Sequence, residues 1–299
     1  MQRRRLGRTG LEVSVLGFGG AEIGFNQNIT QSEVNRMLNT AVDAGLNVID
    51  TASAYLNSEK MIGEAIAHRR KEIILMTKCG ALDGFTRFDW SKKGVQETIT
   101  QSLRNLRTDY LDVVYLHSCS LEILRQADCI EGLIRALEKG YTRFVGYSGD
   151  NEAATYAIDL NFFDCLQISV SIADQSAIDN QIPMAVKKDM GIIAKRPLAN
   201  AVWASNERPT DEYLLPYWKR LEVLQYEFLK RPMPEAVSTA LRFTLSVPGV
   251  ATMIVGTTKL HRWQENAKYL AEGNLSNEEY EAIRRRWLEM ADETWVGII

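Results

Sequence analysis

The sequence predicts an α/β protein of the (β/α)8 TIM-barrel class, built as one domain over residues 1–299 with an N-terminal β-hairpin and extra helices. Two observations carry this reading: eight short apolar runs rich in β-branched residues, and amphipathic helical stretches that alternate with them. A third is that no linker, low-complexity tract, internal repeat or break in composition divides the chain. A doubly wound open sheet is the main rival architecture.

The candidate strands are Leu16–Gly19, Asn47–Thr51, Ile73–Lys78, Tyr110–His117, Phe144–Ser148, Cys165–Ser169, Gly191–Lys195 and Thr252–Gly256. Ile73-Ile74-Leu75-Met76 is apolar on successive residues, which a parallel strand covered on both faces requires. Between the strands, Ser32–Ala44 follows Thr30 and Ser32 as capping residues, carries Glu33 in its first turn and closes at Gly45. Glu59–Ala67, Ser91–Leu106, Cys129–Lys139, Glu152–Asp159, Gln181–Asp189 and Glu235–Ser246 continue the alternation. Leu214–Leu229 adds a helix before the last of these, and His261–Leu270 and Asn277–Trp287 follow the eighth strand. Arg3–Leu6 and Glu12–Val15 flank Gly7-Arg8-Thr9-Gly10, the signature of a hairpin placed to plug the barrel floor.

Composition narrows the function. A chain of this length with 45% hydrophobic residues can build its core without metals or disulfides. The 35 basic and 38 acidic residues leave a charge of −3, so no excess of positive charge awaits release of nucleic-acid counterions. The longest uncharged stretch, Phe243–Thr258, is too short and too polar to span a bilayer. Cys79, Cys119, Cys129 and Cys165 form no C-x-x-C pair; they are expected to be free thiols in a cytoplasmic protein, and no metal site is predicted.

Two dinucleotide-enzyme signatures fail on spacing. Gly17-Phe18-Gly19-Gly20-Ala21-Glu22 puts Glu22 where a Rossmann turn needs a small residue, and loop-like Asn26-Gln27-Asn28 stands where a helix should receive the pyrophosphate. A crowded strand end that needs glycine explains these residues better. Tyr55 and Lys60 suggest the tyrosine–lysine pair of short-chain dehydrogenases, but their spacing puts Lys60 off the face of Tyr55.

The stronger pattern is positional. Asp50 ends the second candidate strand with Tyr55 just beyond it, Lys78 ends the third, and His117 ends the fourth. In a (β/α)8 barrel these all project at the C-terminal mouth, where barrel enzymes place their chemistry. Singly each has a dull reading: a hydrogen-bonded core histidine, an aspartate capping a turn, a snorkelling lysine. Together they form an acid. Tyrosine ordinarily titrates near 10, a neighbouring ammonium favours the phenolate, and a carboxylate keeps that ammonium charged and placed. Histidine orients a carbonyl or shares developing charge.

These residues sit in a set of blocks that resembles the aldo-keto reductase family along essentially the whole chain. The blocks are Arg5-Leu6-Gly7-Arg8-Thr9-Gly10-Leu11, Asn47 through Tyr55, Ser58-Glu59-Lys60-Met61-Ile62-Gly63, and Leu103 through His117. The resemblance implies a catalytic tetrad of Asp50, Tyr55, Lys78 and His117, with Tyr55 as general acid. It also implies an extended nicotinamide cofactor at the barrel mouth, NADP(H) or alternatively NAD(H), and a monomer by default.

By the same resemblance, Ser148 and Gln167 match positions that bind the carboxamide, and Pro197-Leu198 matches the block after strand seven. Gly256-Thr257-Thr258-Lys259, Arg262, Glu265 and Asn266 match the adenosine-phosphate segment. A loop carrying Thr257, Lys259 and Arg262 at a helix N-terminus is also a physically reasonable phosphate cradle. Three departures stand out: Gly149 where the family often has Asn, Lys195 where it often has an aromatic residue against the nicotinamide, and Gly256 where many NADP-preferring relatives have a basic residue.

The sequence therefore predicts reduction of aldehydes or ketones with NADPH, on a small-molecule carbonyl or sugar substrate. The Lys78-Cys79-Gly80 block, the Ala81–Trp90 loop and Gly146-Tyr147-Ser148-Gly149 resemble sugar dehydrogenases of the family, so NAD(P)-dependent oxidation of an aldose is the alternative. From other classes, Lys195 at a strand end suggests a Schiff-base aldolase, and a cofactor-dependent redox-sensing module is the third reading. Trp90, Trp203 and Trp295 are candidate walls of a substrate pocket.

Overall fold

The computed structural model describes residues 1–205 and 207–298. Its strands are β1 Arg3–Arg5, β2 Glu12–Ser14, β3 Leu16–Gly19, β4 Val48–Asp50, β5 Ile74–Cys79, β6 Ala81–Leu82, β7 Arg87–Phe88, β8 Leu111–His117, β9 Thr142–Ser148, β10 Cys165–Ser169, β11 Gly191–Lys195 and β12 Val250–Gly256. Eight of these close into a barrel in the order β10-β11-β12-β3-β4-β5-β8-β9, with every neighbouring pair parallel. Each predicted apolar run is one barrel strand, with ends displaced by no more than two residues.

The helices are α1 Ala21–Phe25, α2 Gln31–Asp43, α3 Ser58–Ile66, α4 Lys92–Asn105, α5 Leu121–Gln126, α6 Asp128–Glu138, α7 Asn151–Asp159, α8 Ser176–Asp179, α9 Gln181–Lys187, α10 Leu215–Leu224, α11 Met233–Ser246, α12 Arg262–Leu270 and α13 Asn277–Met290. α2 shows why they form. Thr30 Oγ1 accepts from Glu33 N at 3.3 Å while Glu33 Oε2 accepts from Thr30 N at 2.8 Å, closing a capping box. Val34, Met37, Leu38, Ala41 and Val42 then bury one helical stripe against the barrel. Each large side chain in such a stripe contributes about 1.5–3 kcal/mol.

β1 and β2 pair antiparallel and close the floor. Leu6, Leu11 and Val13 enter the barrel interior among Val48, Met76, Val113, Tyr115, Cys165 and Ile193. The turn lies directly on the start of β11: Gly7 has φ +47°, and a Cβ there would come within 2.3 Å of Gly191 N. Only glycine fits that contact.

The structure corrects the predicted elements in three places. A one-turn helix, α1, directly follows Gly20 where none is predicted, while the expected loop residues Asn26-Gln27-Asn28 lie beyond its end. The 81–90 loop contains a small hairpin, β6 with β7, around a turn at Asp83–Phe85. The helix predicted over 214–229 breaks at Gln225, which adopts φ +44°, and Arg286 donates to the carbonyls of Val223 and Leu224 at 3.1 and 2.8 Å. A long-range guanidinium thus satisfies the helix end. Among the described residues, no helix is long and apolar enough to cross a membrane, and no group of His, Cys, Asp or Glu is arranged to hold a metal.

Candidate active site

Parallel register gathers the strand ends at one mouth. Gly19 lies beside Asp50, Lys78 beside Tyr115, His117 beside Ser148, Ser148 beside Gln167, and Ser169 beside Lys195. Gly20 N donates to Asp50 O at 2.7 Å, and a Cβ on Gly20 would meet Ser58 Oγ at 2.6 Å. The glycine-rich run serves close packing at a strand end.

Asp50 and Lys78 form a fully buried ion pair, Nζ to Oδ2 at 2.5 Å. Lys78 Nζ also donates to Thr51 O at 2.9 Å, and Gln167 Nε2 donates to Asp50 Oδ1 at 2.8 Å. Burial pushes the Asp50 carboxyl up, while Lys78 and Gln167 oppose it. For Lys78, burial alone acts downward, but Asp50 and then Tyr55 outweigh it and hold the ammonium above its ordinary value. Lys78 does not snorkel; it points inward.

Tyr55 stands over this pair, with Lys78 Nζ 5.0 Å from its ring centroid. Its loop is pinned from both sides. Ser53 Oγ donates to Lys78 O at 2.9 Å and Ala81 O at 2.7 Å, and Ser58 N donates to Tyr55 O at 2.8 Å. His117 meets Tyr55 edge-on, centroids 5.5 Å apart. Burial, then the positive charges of Lys78, Lys195 and Arg196, hold His117 well below its ordinary value, so the ring is neutral. Its Nδ1 is buried without a partner among the described residues. Lys60 is exposed on α3 and takes no part.

Of the predicted cofactor residues, Ser148 and Gln167 are buried in this same network, Ser148 Oγ donating to Gln167 Oε1 at 2.9 Å. Lys195 is buried against Asp150, Nζ to Oδ2 at 2.8 Å. Burial pulls this lysine down to about 8, against the opposing effect of Asp150. Pro197 is buried and Leu198 half-buried, its carbonyl accepting from Trp203 Nε1 at 3.1 Å. The remaining residues run from Gly256 at the end of β12, through the connection, to Arg262, Glu265 and Asn266 on α12. There Gly256, Lys259 and Glu265 are exposed, Thr258 is half-buried, Thr257 Oγ1 accepts from Lys259 N at 3.0 Å, and Arg262 pairs with Glu265 at 3.3 Å. Asn266 is buried, and its Oδ1 has no partner among the described residues.

Three residues escape sequence reasoning. Asp150 precedes α7 and reads as a helix cap, but makes no cap bond; its carboxylate turns inward to Ser169 N at 2.8 Å and Lys195. Phe25 and Phe85 flank Tyr55 at 5.9 and 6.1 Å, and Phe85 lies 4.9 Å from His117. No motif marks them. Trp90 stacks on Phe88, Trp203 Nε1 donates to Leu198 O, and Trp295 stands edge-on to Trp287 of α13.

Known proteins resemble this chain along nearly its whole length. The model of the aldo/keto reductase family matches residues 15–287. An uncharacterized oxidoreductase of Bacillus subtilis, YqkF, is 29% identical over 95% of this chain and 96% of its own. L-galactose dehydrogenase of Arabidopsis thaliana is 27% identical over 91% and 89%. The structure of the aldo-keto reductase AKR11C1 of Bacillus halodurans superposes with a TM-score of 0.83 at 24% identity, covering 99% of both chains, a likeness of fold. The chain belongs to the aldo/keto reductase family and is an NAD(P)H-dependent oxidoreductase.

Proposed function

We propose that this protein reduces aldehydes or ketones to alcohols with NADPH, the 1–299 chain acting as one domain and Tyr55 as the general acid. The observation that carries the reading is the buried Asp50–Lys78 pair beneath the Tyr55 ring, with neutral His117 at its edge. Lys78 favours the phenolate that remains when Tyr55 gives up its proton, and Asp50 keeps Lys78 charged. A positioned acid of this kind contributes roughly 10²–10⁴-fold. His117, neutral, retains one N–H to orient a carbonyl oxygen toward Tyr55.

The residues present fit a nicotinamide dinucleotide. Ser148 Oγ spends its proton on Gln167 and keeps lone pairs for an amide N–H, while Gln167 keeps one N–H for an amide oxygen. At the far end, the unpartnered Oδ1 of Asn266 suits the exocyclic amine of adenine, and Thr257, Lys259 and Arg262 suit a phosphate. When bound, the cofactor supplies the hydride. Lys195 stays mainly protonated in neutral water and faces Asp150, which weighs against a Schiff-base aldolase.

Oxidation of an aldose on the same site is the second reading, favoured by the likeness to L-galactose dehydrogenase. The collar around Tyr55 supports the first: Phe25, Leu56 and Phe85 are 43%, 50% and 41% exposed, an apolar rim suited to alkyl or aryl carbonyl compounds. The test is NADPH oxidation with a panel of aldehydes and ketones beside NADP⁺ or NAD⁺ reduction with aldoses. Faster turnover of apolar aldehydes is expected. Turnover of aldoses alone contradicts the reading, and nucleotide binding without any turnover makes the protein a redox-sensing module.

A further inference from the structure

Gln167 touches both Asp50 and Ser148, joining the proton-handling residues to the proposed carboxamide site. Its amide orientation follows from its partners. Ser148 Oγ donates to Oε1 at 2.9 Å, and the atom facing Asp50 at 2.8 Å must be the NH₂, because a carboxylate only accepts. Asp50 is thus held at both oxygens, Oδ1 by Gln167 from β10 and Oδ2 by Lys78 from β5. All three residues are about 1% exposed, so bulk solvent does not reach Asp50 to replace a lost donor.

We propose that Gln167 is a positioning residue of the proton relay: it fixes Asp50, which fixes Lys78 beneath Tyr55. This rests on the reductase reading above. A residue that only bound a carboxamide would set cofactor affinity alone. One that also holds Asp50 must set the protonation of Asp50 and, through Lys78, the proton transfer from Tyr55. The other charged or titratable groups acting on this relay are Lys195 on β11, Tyr115 and His117 on β8, and Glu59 on α3. None of them is hydrogen-bonded to Asp50 Oδ1 among the described residues.

The test uses Gln167→Met, which keeps the bulk and removes the donor, and Gln167→Glu. The first readout is the carboxyl ¹³C NMR titration of Asp50 in full-length protein without nucleotide, assigned by its loss in Asp50→Asn. We expect Gln167→Met to move the Asp50 midpoint up by at least one pH unit. Gln167→Glu sets two carboxyls side by side, and they should titrate in two separated steps as they share one proton. The second readout is the pH profile of kcat at saturating NADPH. Gln167→Met should lose at least tenfold at pH 7. Gln167→Glu should recover as the pH falls, because a protonated Glu again donates to Asp50.

An Asp50 midpoint unchanged in Gln167→Met overturns the proposal. So do variants that raise the nucleotide Kd yet keep the wild-type kcat and pH profile. If Gln167→Met does not fold, the Asp50 titration of Gln167→Glu decides alone, a single unshifted step being the contrary result. Should the wild type reduce no carbonyl compound, the reductase reading falls while the Asp50 titration still decides this one.

Discussion

The two ends of the barrel are built on opposite principles. At the floor, Leu6, Leu11 and Val13 fill the interior with apolar side chains that need only volume and shape. At the mouth, Asp50, Lys78, Ser148 and Gln167 are equally buried, and each is tolerable only because its polar atoms are partnered. The contrast teaches that similar losses of stability should have different consequences for chemistry.

The largest effect is expected for Lys78→Met. It leaves the buried Asp50 carboxylate without its cation, which costs about 3–5 kcal/mol, and removes the ammonium beneath Tyr55, lowering kcat by roughly 10²–10⁴-fold. Urea unfolding and NADPH oxidation measured on one preparation check both. Leu6→Ala should come next, costing about 2–5 kcal/mol by opening a cavity in the floor. Its kcat should match the wild type wherever the protein is folded, and a matching loss of kcat would erase the distinction between the two ends.

Lys195 gives a smaller effect with a defined sign. Burial holds it at about 8 in the fold against 10.5 ordinarily. Between those values the unfolded chain binds the extra proton, so stability should rise with pH from about 8 to 10.5, by about 1 kcal/mol per unit. Unfolding free energies across that range should show the rise in the wild type and a flatter curve in Lys195→Met. His117 gives the smallest effect, at the acid side. Its pKa is depressed in the fold, so its contribution is intact above about 6.5 and is lost as pH falls below that value, again by about 1 kcal/mol per unit. His117→Asn should unfold less readily than the wild type on going from pH 6.5 to 5, relative to their difference at pH 7.5.

Much of the floor and frame was legible because burial on both faces leaves a continuous apolar run, and several of the barrel strands carry one, as Ile74-Leu75-Met76 does in β5. Asp50, Tyr55, Lys78 and His117 were legible because strand-end position and chemistry coincide. Contacts across the mouth were not. Gln167 and Asp50 are 117 residues apart, and their bond depends on barrel register and rotamer, which no local pattern encodes. Asp150 reads as a helix cap until Lys195 is seen beside it. The apolar collar depends on the turn at Asp83–Phe85, where Phe85 adopts φ +66°, a conformation that local sequence gave no reason to expect.

Tyr55, set over the Asp50–Lys78 pair, is proposed as the acid of a carbonyl reduction. Single-turnover oxidation of bound NADPH by a reactive aldehyde, compared between wild type and Tyr55→Phe, tests it most directly. The rate in Tyr55→Phe should fall about a thousandfold, with nucleotide affinity within about threefold of the wild type. A Tyr55→Phe protein that oxidises NADPH at the wild-type rate would contradict it.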